Sequence, residues 1–131
     1  MAEVLAPISF GELLDKITIL EIKTLRIADA DKRINVQNEL DALIRIWQQY
    51  AKQYEERIAH ARSELKAVNA RLWDIEDAIR LKERDKAFDA EFIALARSVY
   101  LENDTRARWK REINTTLPSR FIEEKSYAEY R

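Results

Sequence analysis

The residues best suited to chemistry in this sequence form a polar stripe along one face of a predicted helix. Within an arc of about 100° at 3.6 residues per turn lie Asn69, Trp73, Glu76, Asp77 and Arg80. The apolar positions of the same helix occupy the neighbouring arc, so the stripe borders the predicted core. A tryptophan within a polar stripe indicates that this surface is at least partly covered. Amide, carboxylate, guanidinium and indole groups in one place can bind a polar ligand.

A second polar stretch interrupts the apolar seam of the last predicted helix. Its heptad pattern, from Phe92 to Leu117, places Asn103, Arg106 and Lys110 at three consecutive core-facing positions. Burying such groups without partners costs about 1–3 kcal/mol for a neutral group, and more for a charge. Partner side chains, water or a ligand must therefore compensate them.

An antiparallel pairing of these two helices around residues 84–88 brings the two polar features together. The candidate ligand-binding residues are then Asn69, Trp73, Glu76, Asp77, Arg80, Arg97, Tyr100, Asn103, Arg106 and Lys110. One alternative is structural, because the charges of such a network cancel and an asparagine in a seam often fixes helix register.

Helical carboxylate pairs allow a different hypothesis, a Mg²⁺-dependent hydrolase of nucleotides or phosphosugars. Glu12 and Asp15, and likewise Asp74 and Asp77, stand three residues apart, a spacing that can hold Mg²⁺ together with waters. The metal ligands under this alternative are Glu12, Asp15, Glu76 and Asp77. Neither pair has the Glu-x-x-Glu form of all-α nucleotide pyrophosphohydrolases, and Asp74 faces away from the stripe. No catalytic residue is assigned, and no cofactor is expected outside this alternative.

Composition disfavours several other classes of function. The chain has no cysteine, so thiolate metal sites, disulfides and thiol nucleophiles are excluded. Its only histidine, His60, lies in a charged segment and is expected at the surface. The formal net charge of −1 gives no steering toward nucleic acid, and acidic neighbours dilute the basic run at residues 106–111. The N-terminus lacks the pattern of a signal peptide, and no apolar run reaches the ~20 residues that span a bilayer. We expect a soluble, cytoplasmic protein.

The elements that must position these residues are helices. One glycine and two prolines in 131 residues leave nothing that breaks a helix between residues 12 and 117. Ser9 and Glu12 form a predicted capping box that opens a helix over residues 10–27. Asp89 is the expected N-cap of the last helix, which runs to about Asn114. The sequence predicts one domain, residues 1–131, folded as an all-α antiparallel bundle of three to four long helices, with a short C-terminal tail packed on it.

Between those two helices, the heptad pattern of residues 36–54 resumes after a four-residue step at Ile58 and continues to Ile79. Two interpretations fit this pattern. A single helix over residues 31–84 would be about 80 Å long at 1.5 Å per residue and would require a partner, such as a second copy in a homodimer. Two helices folding back near residues 52–57 would instead be compact, and we favour this hairpin.

Five ordered segments of the chain match motifs of a known family. They are residues 8–23 (ISFGELLDKITILEIK), 69–80 (NARLWDIEDAIR), 92–104 (FIALARSVYLEND), 110–114 (KREIN) and 123–127 (EEKSY). Together they resemble a family of small bacterial and phage proteins known only as a domain of unknown function. Residues 69–80 also resemble the motif of a second uncharacterised helical family. The resemblance implies a context near glycosyltransferase and surface-polysaccharide genes, and the match at residues 123–127 implies a tail that packs on the bundle.

These observations favour a helical-bundle accessory or ligand-binding protein over an enzyme. Its polar pocket is expected to bind an anionic small molecule or a partner protein. The family context suggests a nucleotide sugar or phosphosugar as the ligand.

Overall fold

The computed structural model describes residues 1–131 and contains three helices and no strand. The helix α1 spans Phe10–Arg26, α2 spans Ala30–Arg84, and α3 spans Ala90–Thr116. The predicted all-α fold is confirmed, with three helices. One hydrophobic core includes side chains from all three helices and Leu117. No helix is both long enough and apolar enough to cross a membrane.

The start of α1 has half of the predicted capping box. The Ser9 hydroxyl oxygen accepts a hydrogen bond from the backbone N–H of Glu12 at 3.0 Å, which caps the first turn. The Glu12 carboxylate does not complete the box, since it accepts a hydrogen bond from Lys110 at 2.8 Å. The capping signal therefore marks the helix start, while the glutamate takes part in a tertiary contact.

The predicted division of residues 31–84 into two helices is wrong, because α2 continues from Ala30 to Arg84 with no turn or coil residue between two helices. The contacts of α1 nevertheless show that α2 is not straight. The Arg26 guanidinium donates to the Asp74 carboxylate. A straight α2 would place Ala30 about 66 Å from Asp74. The chain from Arg26 to Ala30 spans no more than about 14 Å. Because the two side chains cannot bridge that difference, α2 must reverse its direction.

The contacts of Phe10 locate this reversal. Its ring lies edge-on to the rings of Trp47, Tyr50 and Tyr54, with centroids 5.0–6.3 Å apart. The Trp47 indole N–H donates to Glu55 at 2.8 Å, which ties the two sides of the bend together. The reversal therefore lies in the region where the hairpin was predicted. It divides α2 into a first arm, residues 30–47, and a second arm, residues 58–84.

The helix α1 lies between the two arms of α2. Leu14 and Ile17 of α1 are fully buried. The core around them takes Leu40 and Trp47 from the first arm and a longer apolar row from the second arm: Ile58, Ala61, Leu65 and Val68. Three helices thus supply four packed segments.

The helix α3 packs antiparallel to the second arm of α2. Arg71 pairs with Glu102 at 3.0 Å, and Arg57 donates to the carbonyl oxygen of Thr116 at 2.6 Å. Asp89 caps α3 by accepting from the backbone N–H of Phe92 at 2.9 Å. The tail, residues 117–131, runs back along α3, with Tyr130 bonded to Asp104. These contacts bring the two polar stretches predicted from the sequence face to face.

The reversal of α2 is tested by a distance between its ends. The chain has no cysteine, so two introduced cysteines, Lys32→Cys and Glu83→Cys, accept spin labels without background. A straight α2 would separate the labelled backbone positions by about 77 Å. We expect double electron–electron resonance to show a distance between the two labels well under half of that value. Dilution with excess unlabelled protein must leave the short distance unchanged, because a contact between two copies would disappear.

Candidate functional site

An open groove of about 550 Å³ lies between α1, the second arm of α2 and α3. Its lining residues are Ile19, Asn69, Leu72, Trp73, Glu76, Asp77, Arg80, Asn103 and Arg106. Seven of the ten candidate ligand-binding residues are among them. The polar stripe of α2 and the polar interruption of α3 therefore form one surface, which we call the α2–α3 groove.

The other three candidate residues lie outside the groove. Arg97 donates to the hydroxyl of Tyr100 at 3.4 Å, and the Tyr100 ring lies against Tyr130 with centroids 4.9 Å apart. These two residues therefore face the side of α3 along which the tail runs. Lys110 is buried one turn beyond Arg106.

Asp15 is the buried centre of the polar network behind the groove. Its side chain is 1% exposed, and the Arg106 guanidinium donates hydrogen bonds to both carboxylate oxygens, with Nε at 2.9 Å from Oδ1. Asn69 donates from Nδ2 to the same Oδ1 at 2.9 Å and to Thr18 Oγ1 at 3.1 Å. A bidentate guanidinium and an amide donor together compensate the burial of this carboxylate. Asp15 thus joins all three helices.

Lys110 extends the network toward the tail. Its ammonium donates to Glu12 at 2.8 Å and to Glu123 at 2.7 Å, and it lies 4.0 Å from Asp15. Burial favours a lower pKa for Lys110, but the hydrogen bonds to Glu12 and Glu123 outweigh it and raise this pKa above its ordinary value. Lys110 is therefore a charged, fully engaged structural residue rather than an open ligand contact.

The sequence reasoning missed the close approach of α1 to α3. The backbone N–H of Gly11 donates to Asn114 Oδ1 at 2.7 Å. A Cβ atom on Gly11 would lie 2.5 Å from the carbonyl oxygen of Lys110, a distance that backbone atoms cannot accommodate without shifting. The available signal was the position of the chain's single glycine, inside a predicted helix where glycine costs stability.

Within the groove itself, several polar groups have no partner in the protein. Glu76 and Arg80 form an exposed pair at 3.2 Å. Asp77 and Asn103 make no side-chain hydrogen bond, and neither does the indole N–H of Trp73, which is half-buried. The groove thus offers an aromatic face beside free donors and acceptors, whereas the network behind it is self-satisfied.

The carboxylates proposed for Mg²⁺ have other contacts. Glu12 and Asp15 are engaged by Lys110 and Arg106. Asp74 pairs with Arg26 instead of facing the groove. No group of three or more histidine, cysteine, aspartate or glutamate side chains is arranged to hold a metal ion. Of these i,i+3 carboxylates, Glu12, Asp15 and Asp74 therefore pair with basic side chains of other helices, while Asp77 has no such partner.

Comparison with known proteins places the chain in a family. A family model described as a family of unknown function, DUF6165, matches residues 4–130. The chain belongs to this family. No curated protein and no solved structure matches it. The family description assigns no activity.

Removal of the Arg106 guanidinium tests the role of the Asp15 pair. Arg106→Met would leave a buried carboxylate without its counter-charge, and we expect it to lower the free energy of unfolding by about 3–5 kcal/mol. Urea denaturation measures the change. The matched control is Arg80→Met, an exposed arginine, whose effect is expected within about 0.5 kcal/mol. Equal, small effects of the two substitutions would contradict a structural role for the pair.

The contact between Glu123 and Lys110 predicts a dependence of stability on acid. The hydrogen bond from Lys110 lowers the pKa of Glu123 below its ordinary value of 4.5. The ionised carboxylate therefore stabilises the folded chain above that value, and its contribution is lost as the pH falls through the lowered pKa. We expect the stability difference between the wild type and Glu123→Gln, measured by urea denaturation, to be present at pH 7 and to vanish in acid. Glu129→Gln, which removes no comparable contact, should show no such difference at either pH.

Proposed function

We propose that this protein is a helical-bundle ligand-binding protein whose α2–α3 groove binds the sugar unit of a small molecule. The observation that carries the proposal is the indole face of Trp73 beside polar groups that no protein atom engages. A sugar ring has an apolar C–H face, which packs on an aromatic ring, and hydroxyl groups, which both donate and accept hydrogen bonds. Concave sites with few convergent polar groups are typical of small-molecule binding.

Each free group of the groove has a role in this arrangement. Trp73 supplies the packing surface, and the Asp77 carboxylate accepts hydrogen bonds from hydroxyls. The Asn103 amide donates and accepts, which suits a hydroxyl in either orientation. The Asp15–Arg106 pair behind them holds α3 at a fixed position relative to α2, so the groups are preorganised before the ligand arrives.

The charges of the groove limit where an anionic group of the ligand can bind. Asp15 already neutralises Arg106, and carboxylates surround Lys110. Arg80 remains at the rim and is paired only with Glu76 in an exposed contact. A phosphate on the ligand would therefore contact Arg80, while the sugar occupies the groove. Neutral sugars, sugar phosphates and nucleotide sugars all satisfy this arrangement, and the polysaccharide context implied by the family resemblance supports the same ligand class.

The other predicted functions have less support. A Mg²⁺-dependent hydrolase needs converging carboxylates, and three of the four named for it, Glu12, Asp15 and Glu76, are paired with basic side chains. Binding of a partner protein would use the same surface. A purely structural role would not require the polar groups of the groove that have no partner in the protein. The reversal of α2 also removes the reason for a homodimer, because α2 packs against its own chain. A chain without cysteine suits the cytoplasm, where we place it.

The proposal is tested by a thermal-shift screen followed by calorimetric titration. The panel contains neutral monosaccharides, sugar phosphates, nucleotide sugars, free nucleotides and Mg²⁺. We expect the melting temperature to rise with concentration for at least one sugar-containing class, because a ligand that binds only the folded state stabilises it. No shift with any of these sugars would contradict the proposal.

Two substitutions test whether the ligand binds in the groove. Trp73→Ala removes the packing surface, and Asp77→Asn removes a charged acceptor while keeping its shape. Each is expected to weaken binding by about tenfold, equivalent to about 1.4 kcal/mol. The control is Asp31→Asn, an exposed carboxylate in the first turn of α2. Equal affinity in Trp73→Ala and the wild type would place the ligand elsewhere.

A further inference from the structure

A second cavity, of about 200 Å³, lies between α3 and the tail. Its lining residues are Ala107, Arg108, Lys110, Arg111, Asn114, Glu123, Glu124 and Lys125. None of them lines the α2–α3 groove, so this tail cavity is a separate feature of the molecule.

The tail cavity includes a buried hydrogen-bond donor that has no partner. Asn114 is 2% exposed, and its Nδ2 is the only buried side-chain nitrogen or oxygen without a hydrogen bond. The orientation of this amide is fixed, because Oδ1 accepts from the backbone N–H of Gly11 at 2.7 Å. An unpaired buried donor costs about 1–3 kcal/mol, so the position favours a ligand that supplies an acceptor.

The ammonium of Lys110, which is itself buried, belongs to a residue of the same lining. A carboxylate of the tail, that of Glu123, already binds this ammonium at 2.7 Å, and Glu124 binds Arg111 at 3.2 Å. Acidic groups from a flanking segment thus occupy positions that an external anion could take. The cavity is built to hold negatively charged oxygens.

The charge of the tail cavity exceeds what its own carboxylates neutralise. Four basic side chains line it against two acidic ones, and Glu12 also pairs with Lys110, which leaves an excess of one positive charge. Arg108 has no carboxylate partner and donates only to the Thr105 hydroxyl at 3.2 Å. Lys125 is 3.8 Å from Glu123, a loose contact. Two cations at the rim are therefore available to a ligand.

We propose that the tail cavity is a binding site for a phosphate group. A phosphate carries close to two negative charges at neutral pH and several acceptor oxygens, which can pair with the two rim cations and the donors of the cavity. The guanidinium of Arg108 can contact two of those oxygens at once. The buried amide of Asn114 gives the site a fixed floor, which exposed lysines and arginines alone would not supply, while Lys110 remains paired with Glu12 and Glu123. This proposal does not depend on the sugar site.

Calorimetric titration of the full chain with inorganic phosphate, at constant ionic strength, tests the proposal. We expect saturable binding at one site. Arg108→Gln is expected to weaken it about tenfold, as loss of a charged hydrogen bond does. The matched control is Arg120→Gln, an exposed arginine outside the cavity, which should leave the affinity unchanged.

Two further variants make the test specific to the floor of the cavity. Asn114→Asp keeps the acceptor for Gly11 but replaces the Nδ2 donor with a charged oxygen, so binding of phosphate should be lost while circular dichroism shows a folded chain. Glu123→Gln removes the competing carboxylate from Lys110, and we expect phosphate to bind more tightly than to the wild type. Glu129→Gln, a tail carboxylate outside the cavity, should change nothing.

The outcomes separate clearly. Weaker binding in Arg108→Gln together with tighter binding in Glu123→Gln supports the site. Tighter binding of a sugar phosphate than of inorganic phosphate, with the same response to these variants, also supports it and identifies the group as part of a larger ligand. The absence of saturable binding, or an affinity that neither Arg108→Gln nor Asn114→Asp alters, would overturn the proposal.

Discussion

The buried pair of Asp15 and Arg106 is the interaction on which the rest of the structure depends. The Asp15 carboxylate is 1% exposed, and losing its counter-charge would be strongly destabilising. The pair therefore fixes the position of α1 relative to α3 to within a hydrogen-bond length. Asn69 adds the second arm of α2 to the same oxygen atom. The polar groups of the groove take their positions from this junction, and the Lys110 cluster extends it to the tail.

Close packing of α1 explains why such a polar junction is tolerated. The single glycine of the chain lets the first turn of α1 approach the backbone of α3, and Asn114 satisfies an amide that would otherwise lack a partner there. On the far side of the network, Leu14 and Ile17 are fully enclosed. The charged groups are thus held at the boundary of a well-packed apolar core, where the groove on one side and the tail cavity on the other remain accessible.

Much of the fold and of the α2–α3 groove could be predicted from local sequence patterns, whereas the contacts between distant helices could not. The stripe from Asn69 to Arg80 could be predicted because helical periodicity alone decides which residues share a face. Periodicity left open whether residues 31–84 form one helix or two, and compactness favoured two, whereas the structure has a single bent α2 with no breaker residue at the bend. Asp15 was predicted only as a metal ligand, since its spacing from Glu12 shows a possible pair but not the arginine that lies 91 residues away. Likewise, periodicity placed Arg97 and Tyr100 beside the groove without accounting for the tail.

The enclosure of α1 between segments that follow it has a consequence for how the chain reaches its fold. The contacts that hold α1 to α3 join residues 91–103 positions apart, so they form only after α3 has been synthesised. Until then, the apolar sides of α1 have only the first and second arms of α2 to cover them, and the Asp15 carboxylate has no guanidinium. Closing such distant contacts late is slow, because the entropy of ordering the intervening chain is lost before the contacts form. Of the three helices, α1 therefore waits longest after its synthesis for its complete surroundings.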